Sequence, residues 1–124
     1  LGMAVLDNNY LIGKVVEVNF STARVLLLSD LNSKIPITIE PGGIEAILSG
    51  TGQYSGIIQY TQEKYIIDKE SVVYTSGSGG LFKSGIPIGI IKNIDLDIEQ
   101  KVSFFSDFSQ LRFVKIASYE TEVN

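Results

Sequence analysis

Lys34-Ile35-Pro36-Ile37-Thr38-Ile39-Glu40 alternates apolar and polar side chains with a period of two. Successive side chains of an extended chain point to opposite faces, so this stretch predicts a strand. Ile35, Ile37 and Ile39 share one face of it, and Pro36, Thr38 and Glu40 share the other. Proline has no N–H to give to a ladder, which predicts that Lys34 to Glu40 is an edge strand. Pro41-Gly42-Gly43 ends it with residues suited to a turn, and Ile44 to Leu48 resumes the extended pattern.

The same grammar runs outward in both directions. Toward the amino terminus, Met3 to Leu6 and Leu11 to Phe20 read as strands separated by Asp7-Asn8-Asn9, with Gly13 marking a bulge or bend. Arg24-Val25-Leu26-Leu27-Leu28 is apolar on both faces, which predicts a central, buried strand. Ser29 to Ser33 reads as a loop or a single helical turn. Toward the carboxyl terminus, Gly56 to Tyr60, Tyr65 to Ile67, Val72 to Thr75, Ile86 to Ile91, Lys101 to Phe105 and Arg112 to Ala117 follow. Asp107-Phe108-Ser109-Gln110-Leu111 suits a helical turn. No segment carries a sustained 3.6-residue stripe. About ten short strands with Gly, Asn, Asp and Ser between them predict an all-β fold, closed or nearly closed, and both one body and two small barrels threaded by one chain fit that pattern.

Composition removes most catalytic chemistry. The chain has 124 residues, 14 acidic and 10 basic, and no histidine, cysteine or tryptophan. No His-dependent triad, thiolate nucleophile, disulfide or ordinary zinc site can be built, and no cofactor or metal is expected. A formal charge of −4 gives no drive toward nucleic acid. An apolar fraction of 44% with 19% charged residues describes a chain that folds. No run approaches the ~18 apolar residues of a membrane span.

Gly77-Ser78-Gly79-Gly80 resembles the nucleophile loop of chymotrypsin-like proteases, themselves double β-barrels. Ser78 has no histidine to activate it, and a lysine serving as base has to be desolvated, whereas Lys83 lies in a glycine-rich stretch that predicts an exposed loop. The glycines read as turn formers, and no catalytic residue is assigned. Asp95, Asp97 and Glu99 alternate on one strand face but lack the turn and ligand count of a calcium loop, so a solvated face accounts for them. Phe82, beside Leu81, either tucks into the core or stands out as an interface anchor.

Longer stretches resemble a known family. Leu11 to Val15, Ala23 to Asp30 with Asn32 to Ile37, Gly43 to Gly50, Val72 to Phe82, Gly85 to Gly89 and Asp107 to Val114 together resemble the rod shape-determining protein MreC family. Two turns depart from the pattern: Lys83-Ser84 stands where the family places a proline, and Lys69-Glu70-Ser71 where it favours Gly-Asp. The resemblance implies that residues 1–118 form the extracytoplasmic β region of a longer protein, with 119–124 a frayed tail. In the family this region follows a membrane anchor and a coiled coil. It implies two small barrels without a catalytic site and a scaffold at the periplasmic face of the bacterial cytoplasmic membrane, organising the enzymes of peptidoglycan synthesis during elongation. The implied partners are a second copy in a dimer or filament, the membrane protein MreD, the elongation-specific penicillin-binding transpeptidase and the MreB system.

Two contact surfaces follow from strand edges and exposed loops: Ile35, Ile37 and Ile39 on the alternating strand, and Gly79, Gly80, Leu81 and Phe82 in the glycine-rich loop. Two other functions fit the composition, a small barrel that binds peptidoglycan fragments and a remnant Ser-Lys hydrolase.

Overall fold

A computed structural model describes residues 2–59, 70–78, 82–92, 100–111 and 114–117. Ten strands are present among them: β1 Ala4–Asp7, β2 Tyr10–Val18, β3 Ala23–Leu27, β4 Lys34–Glu40, β5 Ile44–Gly50, β6 Gly56–Gln59, β7 Val72–Thr75, β8 Pro87–Ile91, β9 Lys101–Phe104 and β10 Lys115–Ala117. A 3₁₀ turn, Phe108–Gln110, occupies the stretch expected to hold a helical turn. The strand expected at Tyr65 to Ile67 and the acidic segment Asp95 to Glu99 lie outside the described residues.

The strands form two bodies. β4-β5-β6-β9-β8-β7 close into a six-stranded barrel, and β10-β1-β2-β3 make a four-stranded sheet. All strand pairs are antiparallel. Short connections account for pairs of consecutive strands: β1 passes to β2 through Asn8-Asn9, with Asn8 at φ 56°, a left-handed conformation that asparagine tolerates. β2 packs against β8, and one continuous apolar core joins the sheet to the barrel.

The alternation in β4 sets the barrel interior. Ile35, Ile37 and Ile39 have no exposed surface, while Thr38 is half-buried and Glu40 exposed. Leu48, Val73, Ile88, Ile91 and Val102 meet them inside. Gly56 sits in close packing, since a Cβ there would lie 2.7 Å from Leu48 Cδ1 and the leucine would have to shift. Gly13 fills the role expected of it. The β1–β2 register shifts beside it, and a Cβ would lie 2.4 Å from the carbonyl oxygen of Leu26 on β3.

Two expectations about edges are reversed. β4 is not an edge strand, because it pairs with β5 on one side and with β7 on the other. Pro36 is tolerated because the β4–β7 register starts only at Ile37↔Thr75. Its carbonyl still accepts a hydrogen bond from the Ser76 N–H at 3.4 Å, so the missing donor falls where β7 leaves the ladder. β3, expected to be central, lies at the end of the four-stranded sheet. Its residues run from exposed at Ala23 and Arg24 to half-buried at Val25, Leu26 and Leu27.

Candidate functional site: an open strand edge and two surface clefts

The β2–β3 hairpin and the loop after it form the first surface. Asn19 closes the hairpin tip, its N–H donating to the Thr22 carbonyl at 2.8 Å and its side-chain amide to Glu17 at 3.1 Å. This leaves Phe20 fully exposed at the tip, with Val18 half-exposed beside it. After β3 the chain turns through Ser29 to Ser33. The Asp30 carboxylate accepts from the Asn32 N–H at 2.8 Å, and the Asp30 carbonyl accepts from the Ser33 N–H at 2.9 Å.

That turn is clamped onto the end of β5. The Gly50 N–H donates to the Ser33 carbonyl at 3.0 Å and the Gly52 N–H to the Ser29 carbonyl at 2.8 Å. Gly50 permits the approach, since a Cβ at that position would lie 2.0 Å from the Asp30 carbonyl oxygen. Leu31 is held outward at 69% exposure, and Tyr54 is 67% exposed. A cleft of about 370 Å³ runs along the open side, lined by Val25, Leu27, Leu31, Asp30 and Gly52 among others. A strand edge unpaired among the described residues, a cleft of mixed polar and apolar lining beside it and exposed large side chains suit the capture of an extended protein segment.

The second surface joins hydroxyl and carboxylate groups to the apolar faces of a tyrosine ring and threonine methyls. A groove of about 470 Å³ lies on the outer face of β4 and β7, bounded by Thr38, Glu40, Tyr74, Ser76 and Ser84. Thr38 and Tyr74 are directly opposite in the ladder, and the Thr38 hydroxyl donates to Glu45 at 2.9 Å. The segment between β7 and β8 is anchored by Thr75. Its buried hydroxyl donates to the Lys83 carbonyl at 2.7 Å and accepts from the Ile86 N–H at 2.9 Å.

The residues picked from sequence fare unevenly. Ile35, Ile37 and Ile39 line the barrel interior, so their side chains cannot meet a partner; a paired β4 turns them inward. Phe82 is 8% exposed and belongs to the core, the first of its two anticipated fates. Gly79, Gly80 and Leu81 lie outside the described residues. Ser78 is exposed, and its N–H is engaged by the Ser76 hydroxyl at 3.0 Å. Gly77 has φ 78°, and a Cβ on it would press on Ser84 at 3.0 Å, so the glycine serves the turn. The β3 edge was missed because its apolar residues read as buried; the exposed Arg24 within it and Phe20 just before it were the available signal.

The comparisons bear on both bodies. A family model described as "Rod shape-determining protein MreC, barrel core" matches residues 1–118. The cell shape-determining protein MreC of Cereibacter sphaeroides is 31% identical over 122 residues; the match covers 98% of this chain and 40% of that protein. The chain therefore spans well under half of that relative's length. The crystal structure of MreC from Pseudomonas aeruginosa superposes with a TM-score of 0.83 at 31% identity, covering 94% of this chain and 79% of that one. MreC in a complex with penicillin-binding protein PBP2 from Helicobacter pylori shares the fold, with a TM-score of 0.64 at 20% identity, over 91% of this chain and 74% of that one.

Proposed function

The chain belongs to the rod shape-determining protein MreC family, and from that premise we propose that it is a scaffold module of the bacterial cell-elongation machinery. It binds protein partners on the extracytoplasmic side of the cytoplasmic membrane and catalyses nothing itself. The observation that carries this reading is the β3 edge, unpaired among the described residues, beside a cleft of mixed polar and apolar lining, with Leu31 and Phe20 exposed at its two ends. The partner it fits is the elongation-specific penicillin-binding transpeptidase, and the Helicobacter pylori complex, of the same fold, supports that choice. Gly79, Gly80 and Leu81 supply a second contact in this proposal. Self-association, MreD and the MreB system are proposed partners of the longer protein.

The test is a binding titration of this chain against the extracytoplasmic part of its own organism's elongation transpeptidase. Leu31→Asp and Phe20→Asp place charge on exposed positions and leave the core untouched. Each is expected to weaken saturable binding about tenfold or more, ~1.4 kcal/mol, while Leu81→Asp reports on the glycine-rich loop. Binding that ignores both Leu31→Asp and Phe20→Asp overturns the β3 surface. No saturation up to about a millimolar, ~4 kcal/mol of affinity, overturns the transpeptidase as partner.

A further inference from the structure

We propose that the groove on the outer face of β4 and β7 is a binding site for a neutral oligosaccharide. The groove is distinct from the β3 surface and independent of the transpeptidase reading. Its volume of about 470 Å³ lies within the range of small-molecule sites, roughly 300–1,000 Å³. The lining decides the ligand class. Glu40 is exposed at the end of β4, and a carboxylate accepts strong hydrogen bonds from hydroxyl groups. Thr38, Ser76 and Ser84 add hydroxyls: Thr38, which donates to Glu45, can still accept, and Ser76, which accepts from the Ser78 N–H, can still donate. Tyr74, half-buried, gives an aromatic surface with a polar tip.

Other ligand classes fit less well. Phosphates, nucleotides and carboxylates meet the Glu40 charge on a chain of net charge −4. An apolar peptide side chain finds no aliphatic residue among Thr38, Glu40, Tyr74, Ser76 and Ser84. A sugar ring satisfies both kinds of surface, with hydroxyls along its edge and C–H groups on its faces. The rim is open for it at Gly85, where φ is 86° and a Cβ would meet nothing within 4 Å. Thr75, whose hydroxyl is engaged with Lys83 and Ile86, shapes the wall without contacting the ligand.

The experiment titrates the isotopically labelled chain with N,N′,N″-triacetylchitotriose and, separately, with maltotriose, following backbone amide shifts. Saturable shifts centred on Thr38, Glu40, Tyr74, Ser76 and Ser84 are expected with at least one of the two sugars. Glu40→Gln removes charge at an exposed position and is expected to weaken that binding about tenfold, ~1.4 kcal/mol. Tyr74→Phe keeps the ring and is expected to retain most of it. No saturation with either sugar up to about ten millimolar, an affinity of under ~3 kcal/mol, overturns the proposal. So does binding that maps elsewhere or is unchanged in Glu40→Gln.

Discussion

Thr75→Val tests whether one buried hydroxyl fastens the β7–β8 connection to the barrel. Thr75 is 1% exposed, and its Oγ1 donates to the Lys83 carbonyl at 2.7 Å while accepting from the Ile86 N–H at 2.9 Å. Valine keeps the shape and deletes both bonds. Lys83 is exposed, so its carbonyl can turn to water and the loss there is about 1 kcal/mol. Ile86 is 7% exposed, and its amide is left without that partner in the core at about 1–3 kcal/mol. The sum is about 2–4 kcal/mol, which for a domain of this size lowers Tm by roughly 8–15 °C.

Urea and thermal unfolding read the loss, and faster amide exchange at Ile86 localises it to the connection. Thr75→Ser is the control, since it keeps both bonds and drops one methyl group at about 1 kcal/mol. A Thr75→Val protein within about 0.5 kcal/mol of the parent, the range of an ordinary surface change, refutes the reasoning. A Thr75→Ser protein less stable than Thr75→Val refutes it as well.

Gly50→Ala drives a methyl group to 2.0 Å from the Asp30 carbonyl oxygen, a backbone atom that cannot rotate away. The expected cost is about 3 kcal/mol by denaturant unfolding, and the proposed transpeptidase contact weakens with it because the turn carrying Leu31 shifts. Asp107 caps the 3₁₀ turn, where bonds from the Ser109 hydroxyl and the Ser109 N–H hold its carboxyl below the usual aspartate range. A carboxyl with a depressed folded-state pKa stabilises above the unfolded value, and that contribution is lost as pH falls through the folded one. Asp107→Asn removes the titration, so the stability gap between parent and variant is expected at neutral pH and closes on acidification below the aspartate range. A gap that is constant across that range, measured by denaturant unfolding, contradicts the assignment.

The sequence discloses periodicity well and pairing poorly. The isoleucines of β4 fix which face of that strand is inside, and every one of them is buried. What the alternation does not say is how many neighbours the strand has. Pro36 argues for a free side, yet the ladder with β7 begins one residue later, so a single missing donor costs the barrel nothing. β3 fails for the opposite reason. Val25 and Leu27 pack against the core while Leu26 stays only half-covered on the other face, and composition alone cannot distinguish a half-covered leucine from a buried one. The groove was equally hidden, because Glu40, Tyr74 and Ser84 are distant in sequence and meet only through the β4–β7 register and the turn after β7.

The position of the open edge bears on how a scaffold avoids indiscriminate pairing. An unguarded edge strand invites any extended chain, and proteins blunt such edges with charge, short length and bulges. β3 has all three: it is five residues long, carries the exposed Arg24, and pairs with β2 across a register shift between Val15 and Glu17. The shift increases local twist, so a strand added to β3 must match that twist as well as fill the cleft beside Leu31. The larger body shows the alternative solution, since closing six strands into a barrel leaves it no edge. On the proposed reading, recognition by backbone pairing is confined, among the described residues, to the outer strands β3 and β10 of the four-stranded sheet, and at β3 selectivity falls to the side chains of Phe20, Val25, Leu27 and Leu31.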